Sequence, residues 1–136
     1  METVTVKESQ YVRRLVKIEK GAPIEIYPKG WGYEKWIVNK DEYCGKLLHM
    51  IKGKKCSWHY HKLKDETFYL QEGKILLRYS DEDNIEQSKQ KVLERGDKFH
   101  VYRGLRHQML ALEDSDLFEF STQHFDDDSY RVIRGD

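Results

Sequence analysis

Short apolar segments recur along this chain, and their length limits what it can fold into. They are rich in Val, Ile, Tyr, Phe and Trp, and Gly, Asp and Asn separate them. Each is about five residues long, the usual length of a β-strand, and the spacing approaches the ~8–12 residues of an all-β sandwich or barrel. The predicted strands are 15–20, 24–27, 33–38, 46–51, 57–61, 67–71, 74–79, 89–93, 98–101, 108–112 and 117–121. The pattern therefore predicts an all-β fold.

Helix is an alternative at two places, 11–20 and 125–130. The 136 residues are enough for one domain that buries roughly two-thirds of the surface exposed by its unfolded chain. We expect a single domain with a flanking segment at 1–23, a barrel at about 24–123 and a tail at 124–136.

Charge and composition exclude several classes of protein. Lys plus Arg and Asp plus Glu both total 24, so the basic excess typical of nucleic-acid or membrane-surface binders is missing. The first residues lack the basic-then-apolar layout of a signal peptide, and no apolar run approaches the ~20 residues of a membrane-spanning helix. We expect a cytoplasmic protein whose Cys44 and Cys56 are free thiols.

Two histidines in one predicted strand are the first sign of a metal site. His59 and His61 are two residues apart, so both imidazoles project from the same face of a strand. A short polar turn at 62–64 follows, and a hairpin there would return Glu66 beside the histidines. His107 opens a later strand and can supply a third imidazole. Three imidazoles and a carboxylate favour one divalent transition metal per chain, namely Mn, Fe, Co, Ni or Zn.

The other histidines have no such partners in the sequence. We interpret His100, near a strand end, as structural, and His49 and His124 as surface residues.

These residues resemble a known family. Gly53-x5-His59-x-His61-x4-Glu66-x6-Gly73 matches the first cupin motif at every specified position. The second motif is matched by Gly96-x5-Tyr102-x-Gly104-x2-His107, with Tyr102 and Ala111 where cupins usually have proline and asparagine. The resemblance implies a jelly-roll β-barrel.

Two further segments resemble one cupin branch, the type II mannose-6-phosphate isomerases. Residues 28–34 resemble the segment that opens that domain, and residues 117–131 resemble its closing segment, a glutamate-bearing strand followed by acidic residues and an arginine. The chain departs from the branch at Thr67 and Phe68, where a histidine and a tryptophan are usual. The resemblance implies metal-dependent interconversion of an aldose and a ketose sugar phosphate.

Roles for individual residues follow from that activity. Glu119 is the candidate proton shuttle, unless its side chain faces outward from its strand. Arg131 is the main candidate for binding phosphate, and Lys62, Lys64 and Arg106 are further candidates; the two lysines lie in a polar turn, where the alternative is that they are simply solvated. Trp31, Trp36 and Trp58 can form a sugar-stacking wall, although core packing is the better interpretation for at least two of them.

Two other functions remain open at this point. One is an iron-dependent dioxygenase, because a histidine-rich site with open positions also activates oxygen. The other is a non-catalytic cupin that binds a metal or a sugar, since fold and ligands alone do not establish catalysis. We expect a small sugar or sugar phosphate as the partner, and a homodimer as the assembly.

Overall fold

The computed structural model describes residues 2–5, 15–21 and 24–136, and these residues form strands and tight turns. The strands are β1 (Glu2–Thr5), β2 (Leu15–Ile18), β3 (Glu25–Lys29), β4 (Gly32–Asn39), β5 (Cys44–Met50), β6 (Trp58–Tyr60), β7 (Glu66–Glu72), β8 (Lys74–Ser80), β9 (Lys89–Glu94), β10 (Lys98–Val101), β11 (Arg106–Ala111), β12 (Ser115–Ser121) and β13 (Tyr130–Ile133). The predicted all-β jelly-roll fold is confirmed.

The strands form two large antiparallel sheets and a separate β1–β2 pair. The first sheet has the order β10-β7-β12-β5-β4-β3, and the second has the order β13-β6-β11-β8-β9. Neighbouring strands are mostly distant in the sequence, which is typical of a jelly roll. None of the helices in the described residues is long and apolar enough to cross a membrane.

The helical alternatives are not what the structure shows. Segment 125–130 contains only a 3₁₀ turn at Asp126–Asp128, and the chain then enters β13. Of segment 11–20, the part at 15–18 is β2, and residues 11–14 lie outside the described residues. The strands β1 and β13 were not predicted. Because β13 pairs with β6, the expected tail at 124–136 adds an edge strand to the second sheet.

Three adjacent strands of the first sheet determine where the core lies and where the chemistry lies. Buried positions alternate along β5, β7 and β12, as expected for strands with one face inward. Leu117 pairs with Leu48 and Leu70, which gives an apolar row across the three strands. One pleat further on, Glu119 pairs with Lys46. The barrel interior is therefore apolar at one end and ionic at the other.

The apolar end is the hydrophobic core. Its buried residues are Trp31, Leu48, Met50, Cys56, Phe68, Leu70, Ile75, Leu77, Leu93, Val101, Leu105, Met109, Ala111 and Leu117. Cys44 and Cys56 are buried free thiols, as predicted. Gly73, between β7 and β8, has a φ of 98°, and a Cβ there would collide with Ser115. That position therefore requires glycine.

Candidate metal centre

The second sheet and the loop after β6 bring three histidines together. His59 on β6 is paired with His107 on β11, and His61 follows directly after β6. Ring centroids lie 4.3 Å apart for His59 and His107, 5.0 Å for His59 and His61, and 5.5 Å for His61 and His107. One ring nitrogen from each lies within 4.8 Å of the other two. The predicted histidines thus converge on one point inside the barrel.

Backbone carbonyls determine which nitrogen of each ring faces that point. Nδ1 of His59 lies 2.9 Å from the Ser57 carbonyl oxygen, and Nδ1 of His107 lies 3.0 Å from that of Leu105. Nδ1 of His61 lies 2.9 Å from the carbonyl oxygen of Asp128. Because a carbonyl oxygen only accepts hydrogen bonds, each Nδ1 carries the proton and each Nε2 keeps its lone pair free for a metal.

Glu66 supplies the carboxylate at the same place. Its Oε1 lies 3.7 Å from Nε2 of His61 and 3.5 Å from Nε2 of His107. Ligands that bind one ion at about 2.1 Å lie roughly 3.0–3.4 Å from each other, so a small adjustment would let all of them reach a metal.

An orphaned atom tests whether these residues fit an ion. Nε2 of His107 is buried and has no hydrogen-bond partner among the described residues. A buried acceptor left without a partner costs about 1–3 kcal/mol, which coordination to a cation would offset. The residues present therefore fit a divalent transition metal held by His59, His61, His107 and Glu66.

The protonation states suit metal binding at neutral pH. Burial lowers the pKa of His61 to about 4 and lowers that of His59 well below its usual value. Burial alone would raise the pKa of Glu66, but the Lys64 ammonium and the neighbouring His107 outweigh it and hold that pKa below its usual range. His59 and His61 are thus neutral and Glu66 is ionised without metal, so these three ligands need not release a proton.

A buried lysine links the metal ligands to the candidate proton shuttle. Nζ of Lys64 lies 3.2 Å from Oε2 of Glu66 and 3.1 Å from Oε2 of Glu119. Burial would lower the pKa of this ammonium, but Glu119 and Glu66 reverse the effect and raise it. Glu119 is 4% exposed and faces the cavity, so the alternative of an outward-facing glutamate is wrong.

The ionic network continues across the first sheet. Nζ of Lys46 lies 4.0 Å from Oε2 of Glu119, 3.6 Å from Oε1 of Glu34, and 4.1 Å from the ring centroid of Trp36. Lys46 is only 1% exposed. Negative and positive side chains therefore alternate from the metal ligands to Glu34. Each buried charge has a partner of opposite sign, which offsets the cost of removing it from water.

The metal ligands and the ionic network line one cavity of about 530 Å³. Its lining residues are Lys29, Trp31, Glu34, Lys46, Leu48, Cys56, Ser57, His59, His61, Lys64, Glu66, Phe68, His107, Met109, Glu119, His124, Ser129, Arg131, Arg134, Gly135 and Asp136. Cys56 is an unreactive part of this wall, because burial raises the pKa of its thiol to about 12.

The candidate cations occupy different places. Arg131 lines the cavity, as the interpretation of it as an anion binder requires. The Lys64 ammonium also lines it, but is engaged by Glu66 and Glu119. Arg106 is not brought to this cavity, because its Nε donates to Asp83 at 2.8 Å and its guanidinium lies 3.7 Å from the Tyr60 ring centroid. Lys62 lies over the ring of Tyr130.

Sequence reasoning missed several residues of the cavity wall, among them a histidine and an arginine. His124, expected at the surface, lines the cavity and accepts from the Lys64 ammonium at 3.3 Å through Nδ1. Arg134 was overlooked because β13 was not predicted, although its three-residue spacing from Arg131 was a visible signal.

The remaining aromatic and histidine interpretations have mixed outcomes. Trp31 and Trp58 are buried, as expected for at least two of the tryptophans, and Trp31 also lines the cavity. His49 is half-buried and pairs with Asp116 at 2.7 Å. His100 is exposed and pairs with Asp65 at the same distance.

Comparison with known proteins agrees with this geometry. The family model described as "Cupin domain" matches residues 46–120, which is more than half of the chain and includes all four metal-site residues. The chain therefore belongs to the cupin domain family. A search of curated proteins found no match.

Solved structures share the fold at low sequence identity. The capsular polysaccharide assembling protein CapF from Staphylococcus aureus is 17% identical with a TM-score of 0.70, over 82% of this chain and 34% of CapF. KdgF from Halomonas sp. is 18% identical with a TM-score of 0.65, over 81% of this chain and 94% of KdgF. Oxalate decarboxylase from Bacillus subtilis is 19% identical with a TM-score of 0.68, over 79% of this chain and 30% of that enzyme. The chain thus spans about a third of CapF and of the decarboxylase.

Proposed function

We propose that this cupin is a metal-dependent enzyme that interconverts the aldose and ketose forms of a sugar phosphate such as mannose-6-phosphate. The observation that carries the proposal is that a metal centre, a buried carboxylate and two arginines line the same cavity. The side chains of these arginines have no partner among the described residues. Aldose–ketose conversion needs these three elements, because a proton moves between adjacent carbons of an anionic substrate while an oxyanion develops.

The metal ligands hold the reactive end of the substrate. His59, His61, Glu66 and His107 would bind the ion, and a divalent ion there supplies Lewis-acid stabilisation to a carbonyl oxygen and its neighbouring hydroxyl. These four side chains come from the second sheet, the loop after β6 and the start of β7. The volume of the cavity, about 530 Å³, lies within the usual range of small-molecule pockets.

Glu119 is the proposed proton shuttle. Its contacts with Lys64 at 3.1 Å and Ser121 at 3.0 Å both engage Oε2. Oε1 has no hydrogen-bond partner among the described residues, and the side chain lines the cavity. Oε1 can therefore take a proton from a substrate carbon, while the hydrogen bond from the Lys64 ammonium to Oε2 holds the carboxylate in place.

Two arginines near the cavity mouth are the proposed phosphate site. Arg131 on β13 and Arg134 just beyond it both line the cavity, and neither side chain forms an ion pair or hydrogen bond within the described part of the chain. One guanidinium group can donate two parallel hydrogen bonds to two phosphate oxygens. A guanidinium group without a partner can do so without breaking an existing contact. The Lys64 ammonium already contacts Glu119 and Glu66, so we do not assign it to the phosphate site.

The similar structures support parts of this proposal. CapF is described as a capsular polysaccharide assembling protein, which supports a carbohydrate substrate. KdgF is nearly covered by the alignment, so a cupin of about this size also occurs on its own. Oxalate decarboxylase supports an enzymatic use of the fold. A homodimer remains a prediction that measurement of the mass in solution would test.

The direct test is a screen of hexose and pentose phosphates with metal-reconstituted protein. We expect turnover with at least one of them, and we expect Glu119→Gln to lower kcat by about 10²–10⁴-fold with metal content unchanged, as is usual when a general acid–base group is lost. The matched control is Glu113→Gln, since Glu113 lies outside the cavity. Binding of a sugar phosphate without turnover would instead favour a binding cupin, and oxygen consumption by the iron form would favour a dioxygenase.

A further inference from the structure

A buried aspartate that is not itself a metal ligand connects three parts of the site: a metal ligand, the loop between β6 and β7, and the strand β13. Asp128 lies in the turn before β13 and is 3% exposed. Its Oδ1 accepts from the amides of Lys62 at 2.9 Å and Leu63 at 3.0 Å, and its Oδ2 accepts from those of Leu63 at 3.2 Å and Lys64 at 3.0 Å. One carboxylate thus holds three consecutive amides of the loop that links β6 to β7.

The same residue also touches a metal ligand. Its carbonyl oxygen accepts from Nδ1 of His61 at 2.9 Å, so the backbone of Asp128 sets both the tautomer and the orientation of that ring. The loop held by the carboxylate begins next to His61 and ends at Lys64, whose ammonium contacts Glu66 and Glu119. Displacing the carboxylate would therefore move a metal ligand and the ammonium together.

We infer that Asp128 is a positioning residue that fixes His61 and Lys64 relative to each other, and so sets the affinity and geometry of the metal centre. A carboxylate that accepts several backbone N–H bonds in a buried site is strongly stabilised, which makes it a rigid point of attachment. Residues that orient metal ligands typically change metal affinity by about 10–100-fold when they are replaced.

A second consequence concerns the mouth of the cavity. Asp128 comes three residues before Arg131, and β13 pairs with β6 through Tyr130 opposite Tyr60 and Arg131 opposite His59. The attachment of Asp128 to the loop after β6 therefore also keeps the start of β13 beside the metal centre. The inference depends on the metal centre and not on the isomerase activity.

The test compares Asp128→Asn with Asp127→Asn, using cobalt(II) as the probe. The NH2 group of asparagine donates hydrogen bonds and cannot accept them, so at least part of the contact with the three amides and all of the negative charge are lost. Asp127 is an exposed neighbour in the same turn, and its carboxylate holds no hydrogen bond in the described residues. We expect Asp128→Asn to weaken cobalt binding about 10–100-fold and to alter the visible spectrum of the bound ion, with both unchanged in Asp127→Asn.

Hydrogen exchange of the wild-type protein gives a second measurement that does not depend on a variant folding. Because coupling between two sites is reciprocal, cobalt binding should slow exchange of the amides of Lys62, Leu63 and Lys64. A folded Asp128→Asn protein with wild-type cobalt affinity and spectrum would overturn the inference, even if its thermal midpoint fell. So would exchange at these amides that is indifferent to cobalt. A wild-type protein that binds no cobalt would overturn the metal centre itself, and inactivity towards sugar phosphates alone would leave the inference intact.

Discussion

The two ends of the barrel interior are built on the same strands but are stabilised in different ways. On β5, β7 and β12, the row of Leu48, Leu117 and Leu70 packs into a continuous apolar core. One pleat away, Lys46 and Glu119 occupy equivalent inward positions and are just as buried. Packing stabilises the first end, whereas ion pairs hold the second end together.

The difference separates the end that packing stabilises from the end where we propose that the chemistry takes place. Apolar side chains of similar volume can replace one another at modest cost, but a buried charge is tolerated only while its partner remains. A run of paired charges inside a barrel is weak evidence for stability and good evidence for chemistry. The ionic end therefore depends on each of its members more strictly than the apolar end does.

The largest effect that tests this contrast is expected for Lys64→Met. It leaves Glu66 and Glu119 buried without their common partner, so the free energy of unfolding of the metal-free protein should fall by about 3–5 kcal/mol. That is as much as the roughly 2–5 kcal/mol expected for Leu117→Ala at the apolar end. Denaturant unfolding measures both values, with the exposed Lys54→Met as the control, which should change stability by less than about 0.5 kcal/mol. A loss for Lys64→Met no greater than that of the control would show that the ionic end does not need its pairs.

A smaller effect is expected at the cavity mouth, where the side chains of Arg131 and Arg134 have no partners among the described residues. Arg131→Ala should leave stability nearly unchanged and raise KM for a phosphorylated sugar by about 10–100-fold, the equivalent of one charge-assisted hydrogen bond. The matched control is Arg106→Ala, because Arg106 is paired with Asp83 away from the cavity. Steady-state kinetics with phosphorylated and free sugars separates the two variants. Equal KM changes for both kinds of sugar would remove the phosphate site from Arg131.

The last effect develops only as the pH is lowered and is contributed by His124. Burial, and then repulsion from the ammonium groups of Lys46 and Lys64, lowers the pKa of His124 to about 4. In the unfolded chain the His124 imidazole takes up a proton near pH 6.5, whereas in the folded chain it does so only near pH 4. The contribution of His124 to the free energy of unfolding is therefore complete above pH 6.5 and is lost as the pH falls towards 4.

Replacing His124 isolates the contribution of its imidazole to the pH dependence of stability. Unfolding free energies at several pH values should decline less steeply for His124→Gln than for the wild type between pH 6.5 and 4. The histidines of the metal centre are common to both proteins and cancel in the difference. Identical slopes would mean that His124 does not sense the ionic network.

The sequence predicted the metal centre better than the rest of the cavity, and the reason is locality. His59, His61 and Glu66 lie within eight residues of sequence, so strand periodicity and a short turn suffice to place them together, although β6 and β7 belong to different sheets and do not form the predicted hairpin. The strands of the barrel were predicted for the same reason, since each carries its own apolar pattern.

The ionic network joins residues that are distant in the sequence, and sequence patterns therefore did not predict most of it. Lys46 meets Glu34 and Glu119 only after β4, β5 and β12 have paired, and no spacing in the sequence announces that contact. His124 lies before β13 and Arg134 just after it, and this strand was not predicted because its four residues, Tyr-Arg-Val-Ile, are too few to establish an alternating pattern. Pairing with β6 makes this segment part of the second sheet.

The measurement that tests the central claim most directly is the metal content of the purified protein and of the His59→Ala/His61→Ala double variant. Four converging ligands predict about one transition metal ion per wild-type chain and essentially none in a folded double variant. A wild-type protein that retains no metal after incubation with manganese, iron, cobalt, nickel or zinc would contradict the account. Stoichiometric metal in the double variant would contradict it equally.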